Sequence, residues 1–466
     1  MDTNLRLLID FGSTFTKVVA VDLRGPEIVA QTRVPSTVET DITLGLEQAL
    51  AEIAVGVRID NLDKQRALAC SSAAGGLRMV CVGFVPEYTS QAGNLAALGA
   101  GARVIGKFSY ELDATEIEEI EKLAPDIILL TGGTNGGNSK VILHNARLLA
   151  GTGPSVKFII VAGNKSANAE IAQIIAKTGK QVVFTRNVMP EIGQLDLSPS
   201  NHEIRQLFLK NIIQAKGIAR ARAIIGDVIM PTPSAVLEAA KLMAGGYAEL
   251  PGLGELLIVD TGGATTNVHS IARGEPQRAD VVKAGLPEPY EKRTVEGDLG
   301  LKYNLDVLVD LLRGHTTHPD FPAIIERFKS GQLPLTEEEM TCHTILAALV
   351  VRTAVTRHAG TVEEMYGPSG RYFIQRGKDL TGIRTVIGTG GALVFAGNPR
   401  ELLKQALFEP NNPSSLKPVN PQFRVDERYI LYAVGLLAQN EPQKAFELAG
   451  KYLKILENSG GDKVGC

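Results

Sequence analysis

The chain has 466 residues, of which 44% are hydrophobic and 21% are charged, so it is long enough for two or more folded domains and is neither disordered nor a coiled coil. Its 48 basic and 51 acidic residues leave a formal net charge of −3, and no long basic run favours nucleic acid or a membrane surface as a partner. The chain shows no signal-peptide pattern, no run of 18 apolar residues, and no zinc or disulfide spacing among its four cysteines, so we expect a cytoplasmic protein.

The N-terminal segment contains short apolar, β-branched runs separated by breaks, a pattern typical of neighbouring β-strands. Residues 44–54 have helical periodicity instead. We therefore expect a first lobe with one helix and with strands at residues 5–9, 17–22, 27–31, 67–71 and 79–84.

Residues 7–22, LLIDFGSTFTKVVAVD, predict a strand, a tight glycine turn and a second strand. The first strand delivers Asp10 to its carboxyl end, where a carboxylate can hold Mg²⁺ directly or through water. Glycine lets the backbone approach a phosphate, and hydroxyl and ammonium groups add donors. The candidate phosphate ligands of this turn are Gly12, Ser13, Thr14, Thr16 and Lys17. On residue types alone, a hairpin that binds nothing is as good an explanation.

From residue 125 to about residue 214, apolar strands alternate with loops and helices, which predicts parallel βαβ units in a small Rossmann-like layer. We expect strands at residues 127–130, 157–162 and 181–184. The segment TGGTNGGN, residues 131–138, follows the first of them. It could bind phosphate at a strand end, or its glycines could serve only a tight loop.

The pattern of the first hairpin returns at residues 256–270, LLIVDTGGATTNVHS. Asp260 again ends an apolar strand, and glycines and hydroxyl residues follow. The candidate phosphate ligands here are Thr261, Gly262, Gly263, Thr265 and Thr266. We expect the two hairpins to face each other and to grip a triphosphate chain, with Asp10 and Asp260 as catalytic residues and magnesium ligands.

Two later segments add to this prediction. Residues 294–300, TVEGDLG, hold Glu296 and Asp298 around a glycine; these carboxylates could order Mg²⁺ or the attacking water, or could be solvated loop residues. Residues 385–397, TVIGTGGALVFAG, predict a strand, a glycine turn and a helix start. The glycines Gly388, Gly390 and Gly391 would let a nucleoside ring lie against the backbone. A long helix is predicted between these segments, over residues 337–357.

The order of these motifs resembles the actin, Hsp70 and sugar-kinase superfamily of ATPases. The stretches PTPSAVLEAAKLMA at 231–244 and RYILYAVGLLA at 428–438 look like its connecting helices. Within the superfamily, the segments IDFGSTFTKV, TGGTNGGN, DTGGATTNVHS, TVEGDLG and IGTGGAL resemble the accessory proteins encoded with adenosylcobalamin-dependent glutamate mutase, called MutL and unrelated to the mismatch-repair protein. The implied fold is α/β: an actin-like ATPase fold of two RNase H-like lobes with an inserted Rossmann-like α/β layer.

This resemblance implies five parts: a first lobe at 1–124, the inserted layer at 125–215, connecting helices at 216–245, a second lobe at 246–398, and C-terminal helices at 399–466 that pack back on the first lobe. It implies the cofactors ATP and Mg²⁺, and slow ATP hydrolysis that reactivates or assists a cobalamin mutase. The implied partners are the mutase subunits and ATP or ADP, with a homodimer as a further option. Two alternatives remain on the sequence: a metabolite kinase, in which Glu296 or Asp298 is the base, and an ATP-hydrolysing scaffold protein.

Overall fold

The computed structural model describes residues 4–37, 40–56, 67–72, 77–154, 156–212, 218–225, 228–312, 321–330, 336–368 and 370–457. Its strands are β1 (Leu5–Phe11), β2 (Phe15–Asp22), β3 (Glu27–Pro35), β4 (Leu68–Ser71), β5 (Arg78–Val82), β6 (Arg103–Phe108), β7 (Ile127–Leu130), β8 (Phe158–Val161), β9 (Gln181–Phe184), β10 (Val228–Pro231), β11 (Gly246–Tyr247), β12 (Leu250–Pro251), β13 (Leu256–Thr261), β14 (Thr266–Ile271), β15 (Val281–Ala284), β16 (Glu291–Glu296), β17 (Thr361–Gly367), β18 (Gly370–Arg376), β19 (Thr385–Thr389), β20 (Gln422–Asp426) and β21 (Leu453–Ile455).

The α-helices are α1 (Ile42–Gly56), α2 (Gln91–Gly99), α3 (Ala114–Leu123), α4 (Lys140–Ala150), α5 (Asn168–Ile175), α6 (Ser198–Ile212), α7 (Ile218–Ile225), α8 (Thr232–Gly245), α9 (Leu305–Leu312), α10 (Phe321–Ser330), α11 (Glu337–His358), α12 (Gly391–Val394), α13 (Pro399–Lys404), α14 (Leu431–Ala438) and α15 (Pro442–Tyr452). The helices predicted over 44–54 and 337–357 are confirmed as α1 and α11. Among the described helices, we find none with the length and apolar character that a bilayer span requires.

The first sheet, lobe 1, has the strand order β10-β4-β1-β2-β3. β2 pairs antiparallel with β1 and β3, whereas β4 runs parallel to both β1 and β10. β1 is buried on both faces from Leu7 onward, as expected for a strand covered by helices on either side. The strands predicted at 5–9, 17–22, 27–31 and 67–71 are confirmed.

The second large sheet, lobe 2, has the order β16-β14-β13-β19-β20-β21. β14 pairs antiparallel with β13 and β16, and β19 runs parallel to β13 and β20. Apart from the added strand β21, this is the order and direction of lobe 1. The two hairpins therefore hold equivalent central positions in two sheets of one topology.

The third sheet is the inserted layer, an all-parallel sheet in the order β6-β5-β7-β8-β9. The strands predicted at 127–130, 157–162 and 181–184 are confirmed. The prediction that the strand at 79–84 belongs to the first lobe is wrong, because this strand is β5 and pairs with β6 and β7. Its side chains from Met79 to Val82 are all buried, and a uniformly apolar strand carries no pattern that says which sheet it joins.

The glycine-rich loop at 131–138 is held by hydrogen bonds to neighbouring parts of the protein. The side chain of Asn164 donates to the carbonyls of Gly137 and Asn138 at 3.0 and 3.3 Å, and that of Asn187 donates to the carbonyl of Gly133 at 2.9 Å. Thr131 donates its hydroxyl to two backbone carbonyls. These contacts favour the structural alternative for this segment.

Two helices cross at the junction of the lobes. α8 and α14 pack so closely that a Cβ at Gly435 would lie 1.7 Å from the carbonyl oxygen of Ala235. Their apolar side chains share one core with residues of β1, β4, β13 and β14. The five-part division given above remains a prediction, but α14 does pack against β1 and β4 of lobe 1.

Candidate functional site

The two hairpins have the same turn. Asp10 is paired with Lys17 across β1 and β2, and Asp260 is paired with Asn267 across β13 and β14. In the first turn Gly12 donates its N–H to the carbonyl of Phe15, and in the second Gly262 donates to the carbonyl of Thr265, both at 3.0 Å. A Cβ at Gly12 would lie 2.6 Å from the carbonyl oxygen of Phe15, so this turn requires glycine.

Both turns open into one cavity of about 530 Å³ between the lobes. Most of the predicted ligands line it, from both hairpins and from the glycine turn of lobe 2. They are Asp10, Gly12, Ser13, Thr14 and Lys17 from lobe 1, and Asp260, Thr261, Gly262, Gly263, Thr265 and Gly391 from lobe 2. The aspartate-tipped turns therefore do share a cleft.

Asp10 is held in a buried polar network. The ammonium of Lys17 lies 2.6 Å from its carboxylate, and the hydroxyl of Thr232, at the start of α8, donates to it at 2.5 Å. Burial is the largest single effect and opposes the charged form of Lys17, but the attraction and hydrogen bond of Asp10, together with the interactions with Tyr429 and Tyr432, outweigh it and raise the lysine pKa well above its usual value. The Lys17 ammonium also sits 3.8 Å above the ring of Tyr429, so the cation is fixed at the cavity wall.

Replacing Lys17 by methionine is expected to destabilise the protein by roughly 3–5 kcal/mol, because it leaves the Asp10 carboxylate buried without its cation. Because the folded-state pKa of Lys17 lies above its unfolded value, the Lys17 ammonium contributes its full stabilisation up to about pH 10 and loses it only as the pH rises further. The loss in the variant should thus be the same from pH 6 to pH 9, measured by denaturant unfolding. Lys122→Met, which removes the exposed lysine of a surface pair at 4.0 Å, is the control and should change stability by less than about 0.5 kcal/mol. Equal stability of the two variants would contradict the prediction.

Asp260 has a different environment. Among the described residues, no side chain donates a hydrogen bond to its carboxylate. Its enclosure raises its pKa to about 6, an effect that nearby Asp10 and Asp426 reinforce and that Lys17 and Arg293 oppose. An enclosed carboxylate without a direct partner is suited to bind a cation or to orient water.

These residues fit a magnesium nucleotide. The described residues contain no cluster of three or more His, Cys, Asp or Glu side chains that would hold a metal ion unaided. Mg²⁺ usually keeps several waters and binds through one or two carboxylates together with phosphate oxygens. Asp10 and Asp260 would be that pair of carboxylates, and the hydroxyls of Ser13, Thr14 and Thr265, which line the same cavity, would be donors for the phosphates.

Thr16 and Thr266 are not among the residues that line the cavity. Thr16 precedes Lys17, the partner of Asp10, and Thr266 precedes Asn267, the partner of Asp260. Because successive side chains of a strand point to opposite faces, both threonines point away from the cavity. Thr266 donates its hydroxyl to the carbonyl of Leu299 at 2.7 Å, and Thr16 is buried beside α1. Their position does not support the prediction that they contact phosphate.

The glycines of the third motif have separate positions. Only Gly391 lines the cavity. Gly390 has a φ of 86°, and a Cβ there would lie 2.3 Å from the carbonyl oxygen of Thr261; Gly388 faces the side chain of Leu403. Gly390 therefore keeps β19 close to the end of β13, and Gly388 packs in the core. Neither glycine is placed to face a nucleoside.

Replacing Gly390 by alanine is expected to destabilise lobe 2 by roughly 2–4 kcal/mol, because it combines a left-handed φ with a backbone clash. Gly397→Ala is the matched control, since a Cβ there meets nothing within 4 Å. Chemical unfolding of both variants measures the difference. A stable Gly390→Ala protein with weakened nucleotide binding would instead support the original role against the nucleoside.

Glu296 and Asp298 do not line the cavity. Both bond to Arg357 of α11, at 2.8 Å each. Alternation along β16 explains this placement: Arg293 and Val295 face the cavity, so Glu296 faces the helix on the other side. The prediction that these two carboxylates act on Mg²⁺ or water is not supported by their position.

Several cavity residues were absent from the sequence predictions. Asn267 and Tyr429 lie in quoted motifs, and aligning the two hairpins would have placed Asn267 at the position of Lys17. Arg33 of β3 stacks 3.9 Å from the ring of Phe395 at the cavity wall, and buried Arg293 donates to Asn267 at 2.9 Å. No sequence signal distinguishes these two arginines from surface residues.

The repeated sheet topology and the shared cleft define a two-lobed α/β protein with the actin-like ATPase fold. Residues 6–453 match the sequence profile of the family described as MutL protein, and the chain belongs to this family. One relative, Protein MutL of Clostridium tetanomorphum, is 43% identical over 456 residues, which cover 96% of this chain and 98% of that protein.

Two solved structures align with most of the chain at low sequence identity. A glycerol dehydratase reactivase aligns over 94% of this chain and 100% of its own, with 11% identity and a TM-score of 0.36. The activator of the 2-hydroxyisocaproyl-CoA dehydratase from Clostridium difficile, with bound ADPNP, aligns over 97% of this chain and 100% of its own, with 10% identity and a TM-score of 0.32.

Proposed function

We propose that this protein binds ATP with Mg²⁺ in the cleft between its lobes and uses slow ATP hydrolysis to reactivate or assist an adenosylcobalamin-dependent mutase such as glutamate mutase. The observation that carries the nucleotide site is the presence of Asp10 and Asp260, from equivalent hairpins, in one cavity. Membership of the MutL family supports the accessory role. The mutase subunits are the proposed partners.

Bound Mg²⁺ would neutralise phosphate charge between Asp10 and Asp260. Asp10 and Tyr429 hold the Lys17 ammonium in place, so this cation would not have to change position when a phosphate group binds. Asp260 has the exposure to the cavity and the free carboxylate oxygens to orient a water molecule. Hydroxyls and backbone of both turns position the phosphate chain, and positioning carries most of the catalysis in phosphoryl transfer.

The mechanism in this proposal is nucleotide-dependent lobe closure, which the location of these groups on two sheets supports. Contacts with a terminal phosphate from both lobes favour the closed state, and hydrolysis removes part of them. Arg33 of lobe 1 stacks on Phe395, which follows α12 of lobe 2, so the lobes also touch at the cavity wall. In the proposed function, reopening loosens a bound mutase.

A metabolite kinase would need a carboxylate base beside an acceptor hydroxyl. The two sequence candidates for that base, Glu296 and Asp298, are paired with Arg357 outside the cavity lining. We therefore favour the accessory ATPase.

ATP turnover with purified adenosylcobalamin mutase tests this proposal. We expect slow Mg²⁺-dependent hydrolysis alone, and faster hydrolysis together with recovery of mutase activity when inactivated holoenzyme is added. Stoichiometric phosphate transfer to a small alcohol or acid, without any effect of the mutase, would favour the kinase. Failure to bind Mg-ATP would refute both.

A further inference from the structure

We propose that Arg293 is a positioning residue that couples the nucleotide cavity to the inserted layer through the turn between α2 and β6, residues 98–103. This inference rests on the proposed function and adds the route by which the state of the cavity reaches the layer. Three features support it: the contacts of Arg293, the position of the turn, and the charge balance at Asp260.

Arg293 joins lobe 2 to the inserted layer. It lies on β16 with only 4% of its surface exposed. One guanidinium nitrogen donates to the carbonyls of Leu98 and Ala102, at 2.9 and 3.3 Å, and the other donates to the side chain of Asn267 at 2.9 Å. The same side chain thus contacts the second hairpin and both ends of the α2–β6 turn. The planar fork of arginine makes such divided bonding possible, whereas a lysine ammonium cannot reproduce it.

The α2–β6 turn is itself part of the cavity wall. Gly101 and Arg103 line the cavity, and Arg103 donates to the carbonyl of Gly297 at 3.4 Å. On its other side, the hydroxyl of Ser234 on α8 donates to the carbonyl of Ala100 at 3.1 Å. A Cβ at Gly101 would lie 2.6 Å from that hydroxyl. The turn is therefore wedged between lobe 2 and α8, and a shift of either must move it or break these contacts.

The turn leads directly into the layer. α2 packs against β5 and β7, and β6 pairs with β5. The chain enters and leaves the layer from β4 and β10, which are neighbours in lobe 1. Contacts with lobe 2 form mainly between α2 and β16, where Arg293 lies. A change at Arg293 thus acts on the layer through the α2–β6 turn, whose Gly101 also lies beside Pro231 at the end of β10.

Charge supplies the sensitivity to ligand. Burial lowers the pKa of Arg293 to about 9, while the attraction of Asp260 opposes that change. A cation bound at Asp260 would compete for this attraction, so the charge that holds Arg293 toward the hairpin depends on occupancy. The hydrogen bonds of Arg293 to Leu98 and Ala102 in the turn would then strengthen, and its hydrogen bond to Asn267 would weaken.

The test compares Arg293→Lys, which keeps the charge and loses the fork, with Arg293→Met, which loses both. Arg147→Gln, which breaks an exposed pair inside the layer, is the control. Affinity for a non-hydrolysable ATP analogue with Mg²⁺ is measured first. Amide hydrogen exchange is then followed in α4 and β8, none of whose residues lines the cavity.

In wild-type protein and in the control, the analogue is expected to change exchange in α4 and β8 by at least ~5-fold. In both Arg293 variants the change should fall below ~2-fold while the analogue still binds. A full response in Arg293→Met with bound analogue, or none in the wild type with bound analogue, would overturn the coupling alone. No binding by the wild type would overturn the proposed function as well.

A second measurement separates positioning from general damage. Denaturant unfolding of the wild type, Arg293→Lys and Arg293→Met gives the midpoint of each transition. In Arg293→Lys, which keeps the charge, the midpoint is expected to stay near the wild-type value while the exchange response to the analogue is lost. A response that falls only in proportion to the loss of stability in the two variants would contradict the coupling.

Discussion

Asp260→Asn is expected to abolish Mg²⁺-dependent ATP hydrolysis, with a loss of at least ~100-fold in kcat, because it removes the carboxylate that faces the cavity without a partner. The asparagine has the same shape, so the cavity should keep its form. Phosphate release with and without a metal chelator measures the effect, and the chelator should reproduce the loss in the wild type. Wild-type turnover in the variant would refute the assignment of Asp260.

The same substitution is expected to make the nucleotide-free protein more stable. A folded-state pKa of about 6, against 3.8 for the free side chain, corresponds to a cost of roughly 3 kcal/mol for keeping Asp260 ionised above pH 6. Because the folded pKa is the higher one, the cost is absent below about pH 4 and complete above about pH 6. The variant should therefore gain about 1–3 kcal/mol at pH 7.5 and nothing at pH 4, provided that the wild type is still folded there.

Asp280→Asn is the matched control for both measurements. Asp280 is an exposed carboxylate paired with Arg278 on the surface of lobe 2. Its replacement should leave hydrolysis and stability near the wild-type values. A loss of activity in Asp260→Asn that is accompanied by a loss of stability would show that this aspartate supports the fold rather than the chemistry.

Gly435→Val is expected to have the largest effect on stability, a loss of at least about 3 kcal/mol or a failure to fold. The added side chain would meet the backbone of Ala235, where α14 crosses α8, and backbone cannot move aside as a flexible side chain can. These helices share the core that joins both lobes, so the lobes would be forced apart. Denaturant unfolding and nucleotide affinity should both report the change.

Gly450→Ala provides the comparison, because Gly450 lies within α15 and a Cβ there meets nothing within 4 Å. A glycine in a helix interior costs about 0.5–1 kcal/mol relative to alanine, so this variant should be slightly more stable than the wild type. If Gly435→Val were as stable as Gly450→Ala, the close approach of α8 and α14 would be disproved.

Local sequence patterns predicted many of the strands and helices and part of the candidate site. The strand, turn and strand of each hairpin are set by neighbouring residues. Their repetition therefore predicted that Asp10 and Asp260 would line the same cavity, as they do. Helix α11 is likewise set by its own periodicity and ends. Patterns of this kind failed for β5, because an apolar strand with both faces buried fits either sheet equally well.

The sequence alone determined the two hairpins, the aspartates at their tips and the α/β class, because each depends on residues that are close together in the chain. The tertiary structure alone decided which side chains reach the cleft. Strand alternation and the packing of α11 turned Glu296 toward Arg357, and the approach of β13 to β19 gave Gly390 its role. Arg293 meets Leu98 from 195 residues away in the chain, and no local pattern records such a contact.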